Sequence, residues 1–138
     1  MKITGFKVTA LNVPETDPLA NMEEEKGRTR PVVILRLRTD NGIEGLGVTF
    51  YGGKMTGSLK VAVEELSALV VGEDPLRIEQ IVAKLRAAAD SSGPGGIFTL
   101  ALSGIDIALW DIKGKALEQP VWKLLGGHRD RVPTYASG

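Results

Sequence analysis

The sequence predicts an α+β domain in which a three-stranded antiparallel meander precedes a small helical bundle. Alternating, strand-like patterning is confined to the part of the chain before Tyr51, and apolar residues at helical spacing fill most of the chain after it. An Asn41-Gly42 turn signal joins two apolar alternating runs. Strands first and helices afterwards is the α+β order, not the repeating α/β one.

The first strand is read from Phe6, Val8 and Ala10, which alternate with Lys7 and Thr9 until Pro14 stops the run. A polar stretch, ETDPLANMEEEKGRTRP, comes next. It reads as a solvated loop, although a loop of this length within a compact domain often serves as a lid. A two-residue type I′ turn at Asn41-Gly42 would pair Leu37 with Leu46, Leu35 with Val48 and Val33 with Phe50. That register lines three apolar pairs on one face and sets Arg36 and Arg38 across from Gly47 and Gly45. GIEGLG is not a phosphate loop, because its glycines lack the strand-turn-helix setting.

Ser58 is placed as the cap of a first helix carrying Leu59, Ala62, Val63, Leu66 and Leu69 or Val70, which ends at Gly72. Asp74-Pro75 offers an N-cap and a first-turn proline for a second, with Ile78, Ile81, Val82, Leu85 and Ala88 or Ala89 as its stripe. SSGPGG is a loop without the Lys-Ser/Thr signature of phosphate binding. The third helix, from about Ile97 to Leu117, is apolar almost all round and therefore buried on more than one side. Three strands and two helices are too few to cover it fully, so a further surface is expected against it. Gln119-Pro120 breaks it, a short turn carries Trp122, Leu124 and Leu125, and Gly126-Gly127 ends that turn.

The chain of 138 residues is the size of one ordinary domain, and its 17 basic residues balance 17 acidic ones. With no net field, neither nucleic acid nor an anionic membrane is an expected partner. The absence of cysteine excludes disulfides and thiolate metal sites. No apolar leader region or membrane-spanning segment stands out, and a cytoplasmic location is the expectation.

A catalytic constellation is missing. His128, the one histidine, follows a glycine pair in a basic segment with no carboxylate spaced to orient it. Ser103 and Ser137 have no base at a readable spacing, and no acidic cluster has the convergence a metal needs. Asp106 and Asp111 on the apolar helix read as acids that fix an interface. Lys115 lies four residues after Asp111, the favourable order for a helical ion pair, and Asp106 lies four before Trp110.

Ala101 to Gly138, ALSGIDIALWDIKGKALEQPVWKLLGGHRDRVPTYASG, resembles the end of the N-terminal domain of the enolase superfamily, in the mandelate racemase and muconate lactonizing enzyme branch. The resemblance runs without gaps through IDIALWD, Gly114-Lys115, Gln119-Pro120 and Leu124-Leu125-Gly126-Gly127. The NGxxGxG hairpin (Asn41 to Gly47) and the GEDP turn (Gly72 to Pro75) agree with it.

The resemblance implies an enolase N-terminal domain-like capping domain over residues 1–127. Residues 128–138 would then be the linker and first strand of a (β/α)₈ barrel that this chain lacks. It implies Mg2+ bound by barrel residues, a base on that barrel, and removal of the α-proton of a carboxylate substrate. None of those catalytic or metal-binding residues is in this chain, so the fragment alone is expected to be inactive. Two loops would shape specificity: the Pro14–Pro31 flap, with Asn21, Met22 and Arg28, and the segment of Tyr51 and Lys54, with Ser137 at the barrel mouth. Asp106, Trp110, Asp111 and Lys115 would be structural or interface residues. The polar, charged flap and the Tyr51 and Lys54 donors favour a sugar acid as substrate and a dehydratase as parent, in a homo-oligomer. A racemase or cycloisomerase parent, or a free-standing interaction domain using the long helix, are the alternatives.

Overall fold

The computed structural model describes residues 1–14, 29–51, 53–93 and 95–135. Three strands form one antiparallel sheet in the order β1-β2-β3: β1 is Ile3–Pro14, β2 Thr29–Thr39 and β3 Glu44–Thr49. Helices follow as expected for an α+β chain: α1 Thr56–Ala68, α2 Ile78–Ala89, α3 Gly96–Ala116 and the short α4 Val121–Leu124. Phe6, Val8 and Ala10 of β1 stand opposite Leu37, Leu35 and Val33 of β2. The pleat therefore turns one apolar set from both strands toward the helices.

The hairpin register differs from the sequence expectation by one residue. Leu37 pairs with Gly45, Leu35 with Gly47 and Val33 with Thr49, while Arg36 faces Leu46 and Ile34 faces Val48. The cause is the loop. Thr39 N–H donates to the Ile43 carbonyl at 3.1 Å, Gly42 N–H donates to the Thr39 carbonyl at 3.2 Å, and Gly42 has φ 84°. Asp40, Asn41 and Gly42 thus make a three-residue loop closed by a left-handed glycine, not a two-residue type I′ turn. One extra loop residue sends every β3 side chain to the opposite face. The period-two alternation of β3 is the same in either register, so alternation could not decide between them.

Helix starts also differ. A 3-10 turn, Gly53–Met55, leads directly into α1, which begins ahead of Ser58, and no side chain caps it. Asp74 does not cap α2. Its Oδ1 accepts from Leu76 N–H at 3.1 Å and its carbonyl from Arg77 N–H at 3.0 Å, so it closes a separate turn around Pro75 and the helix starts only at Ile78. Gly72, at φ 88°, reverses the chain after α1, and its N–H donates to the Ile3 carbonyl at 2.8 Å. That bond ties the helical layer to the start of the sheet.

α3 is the central element. One flank lies on β3, and Leu102, Ile105, Leu109 and Ile112 join Leu59, Val63, Ile81 and Leu85 in a continuous core with Val33, Leu35 and Leu37. The helix ends where Gln119 N–H donates to the Gly114 carbonyl at 2.9 Å and Glu118 takes φ 52°. The chain therefore turns one residue before Gln119-Pro120. Its third flank is open: Ile107 is 47% exposed. Beyond Gly127, residues 131–135 carry no regular secondary structure, and Val132 and Tyr135 are exposed.

Candidate functional site

Glycines decide how close α3 comes to β3. A Cβ on Gly47 would overlap the Gly104 carbonyl oxygen, and one on Gly45 would overlap the Ala108 carbonyl oxygen and lie 2.6 Å from Ile112 Cγ1. Gly104 returns the approach, since a Cβ there would sit 3.2 Å from Thr49 Cγ2. Thr49 Oγ1 donates to the Leu100 carbonyl at 2.8 Å, near the N-terminal end of α3. Gly45 and Gly47 of GIEGLG are therefore packing devices, alternating within β3, while Gly42 closes the hairpin loop.

The antiparallel register gathers the candidate specificity loops at one end of the sheet. β1 leaves the sheet at Pro14, opposite Thr29 where β2 enters it, and β3 leaves at Thr49 opposite Val33. The flap anchors thus stand about 14 Å, four strand residues, beyond the last pair of β3. Tyr51, two residues past the end of β3, is half-buried against the core, and Lys54 is exposed in the 3-10 turn. Asn21, Met22, Arg28 and Ser137 lie outside the described residues.

Asp106, Trp110, Asp111 and Lys115 sit elsewhere, along the open flank of α3. Leu100, beside the loop end, is some 16 Å along the helix axis from Asp111. Asp111 Oδ2 accepts from Leu46 N–H at 2.8 Å and from Lys115 Nζ at 2.6 Å, and Lys115 Nζ also donates to the Glu44 carbonyl at 2.7 Å. Together they satisfy backbone groups on the outer edge of β3, which would otherwise be free to pair with another strand.

Asp106 has a different setting. Among the described residues no hydrogen bond reaches its carboxylate, from the Trp110 indole or from any other donor. Burial, then the nearby negative charge of Glu79, raise its pKa above the ordinary aspartate value. Lys113 Nζ lies 4.8 Å from the centre of the Trp110 ring. Around these side chains Leu46, Ile107, Val121 and Leu125 complete an apolar concavity of about 630 Å³. Of these, Leu46, Ile107 and Leu125 are exposed. Sequence reasoning missed this groove because its walls come from β3, α3 and the α4 turn.

Nothing in the described chain is a complete active site. His128 is exposed, and the Ser103 hydroxyl donates to the Leu100 carbonyl at 2.8 Å with no base beside it. Among the described residues no group of three or more His, Asp or Glu side chains could hold a metal ion. No described helix is long and apolar enough to cross a membrane.

The family model for the mandelate racemase / muconate lactonizing enzyme N-terminal domain matches residues 4–126. The D-galactonate dehydratase of Xanthomonas axonopodis pv. citri is 48% identical over 104 residues, 75% of this chain and 27% of that protein. The L-talarate/galactarate dehydratase of Salmonella typhimurium is 34% identical over 139 residues, 97% of this chain and 35% of its own length. The structure of that Salmonella enzyme, liganded with Mg and L-lyxarohydroxamate, superposes with a TM-score of 0.79 at 32% identity, covering 94% of this chain and 34% of the other.

Proposed function

This chain belongs to the mandelate racemase / muconate lactonizing enzyme N-terminal domain family, and on that premise we propose that it is the capping domain of a sugar-acid dehydratase. The observation that carries the reading is the pairing of near-complete coverage here with a short span there. The match to the talarate/galactarate dehydratase takes in 97% of this chain but only 35% of that enzyme. The parent enzyme removes the α-proton of an aldonic or aldaric acid and expels the adjacent hydroxyl as water. The base and the metal ligands lie outside this chain, and the described residues do not fit a magnesium site. A magnesium ion bound by the barrel would stabilise negative charge on the substrate carboxylate.

This chain contributes closure and recognition. The flap and the Tyr51–Lys54 segment leave the sheet at the same end, where two loops can cover one opening, exclude water and orient a substrate. The Tyr51 phenol donates to sugar hydroxyls, and the Lys54 ammonium, exposed in its turn, meets a carboxylate. Residues 128–138 would supply the linker and the first strand of the barrel. The reading includes a cytoplasmic, homo-oligomeric enzyme.

The test is turnover by the full-length parent of galactonate, galactarate and talarate, against mandelate- and muconate-like acids. Turnover of the latter alone makes the parent a racemase or cycloisomerase, and a coding sequence with no barrel makes the chain a free-standing module. In the active parent, Lys54→Ala is expected to raise KM about ten-fold, the equivalent of about 1.4 kcal/mol. Its Tm should stay within a degree or so of the parent's, because the side chain is exposed.

A further inference from the structure

The groove on the open flank of α3 is chemically lopsided. Its walls, Leu46, Ile107, Val121 and Leu125, are apolar, and Trp110 adds an aromatic face. Two carboxylates line it, and only one is engaged. Asp111 is held by Lys115 and by the Leu46 N–H, and Lys115 is shared with the Glu44 carbonyl. The one cation lining the groove among the described residues is therefore already committed. Lys113 lies over the Trp110 ring, and Glu79, the charged group of α2 that acts on Asp106, is itself negative.

We propose that this groove receives an arginine or lysine flanked by apolar side chains, presented by the barrel portion of the parent chain, and that this cation pairs with Asp106. The proposal rests on the capping-domain reading. An occupant that covered the apolar walls without bringing a cation would strand the Asp106 carboxylate in a low-dielectric contact, an arrangement natural interfaces avoid. An acidic occupant would add a third negative charge to Asp106 and Glu79. A second copy seated groove to groove fails for the same reason, because a twofold contact sets each Asp106 against the same acidic surface of its mate. The rest of the parent is long enough to supply the occupant, since this chain spans 27% and 35% of the two dehydratases above.

The test is made in the full-length parent, with a photoreactive benzoylphenylalanine replacing Ile107 and the cross-linked peptides mapped by mass spectrometry. The expected product is an intramolecular cross-link to a peptide beyond residue 138 that contains Arg or Lys. Its yield should fall about ten-fold in Asp106→Asn and be retained in Asp106→Glu. A cross-link to a second copy, a cross-link to a peptide without a basic residue, no cross-link, or a yield indifferent to Asp106→Asn overturns the proposal. Any of these results in a parent that dehydrates sugar acids removes only this pairing. A parent without a barrel or without that activity removes the functional reading itself.

Discussion

On the inner face of β3, Gly45, Gly47 and Thr49 lie against α3. On the outer face of the same strand, Leu46 and Val48 meet solvent, 44% and 40% exposed. The residues with no side chain are in the core and the large apolar ones are outside it. Helix–sheet contact here is made by backbone approach, which leaves no room for a side chain. Leu46 also lines the α3 groove, the surface proposed above to receive the barrel portion of the parent. Hydrophobicity along a strand therefore indicates that a surface will be covered, and packing decides whether this chain does the covering.

The largest expected effect separates the two faces directly. Gly47→Ala forces a methyl into the Gly104 carbonyl, which is backbone and cannot swing aside, and should cost about 3 kcal/mol or more in urea unfolding. Val48→Ala, one residue away on the open face, should cost less than about 1 kcal/mol. Equal losses would erase the distinction, and a larger loss at Val48 would restore the register in which Val48 faces Leu35.

A middle-sized effect concerns how β3 is pinned at its edge. Asp111→Ala removes the acceptor of both Leu46 N–H and Lys115. It should cost about 1–2 kcal/mol and speed hydrogen exchange at the Leu46 amide. Unchanged exchange there would show that the edge is held by the hairpin alone.

Within the inner layer, Ser67 is fully buried on α1, and its hydroxyl has no hydrogen-bond partner among the described residues. Ser67→Ala should raise stability by about 1 kcal/mol, read as a higher denaturation midpoint at constant slope. A loss would mean that the hydroxyl is satisfied by water.

The smallest effect belongs to the open face. Because its pKa is raised, first by burial and then by Glu79, Asp106 holds its proton to higher pH in the folded chain than in the unfolded one. Its charge then weighs against folding above the raised value, and that penalty disappears as pH falls below the unfolded value. Asp106→Asn in this chain should flatten stability across that window and raise it slightly near neutrality. A cation docked in the parent would reverse the sign there, so melting curves of both proteins at several pH values sharpen the contrast between a covered and an uncovered groove.

Much of the fold was legible because its signals are local. The period-two run of Phe6, Val8 and Ala10 and the 3.6-period run from Ile97 onward each need only their own residues. The i,i+4 spacing of Asp111 and Lys115 was likewise readable, and the pair closes at 2.6 Å. The acceptance of Leu46 N–H by Asp111 was not, since it joins residues 65 apart. Nor was the groove, whose walls come from three elements.

By itself, then, the sequence determined the element order, the central apolar helix and the chain's family, since periodicity and contiguous motifs are properties of neighbouring residues. Tertiary structure alone decided the hairpin register, the use of Gly45 and Gly47 as contact surfaces, and the isolation of Asp106 beside a satisfied Asp111. A one-residue change in loop length is nearly invisible in alternation, yet it exchanges the two faces of a strand. Only the approach of α3 selects the face that has no side chains to obstruct it.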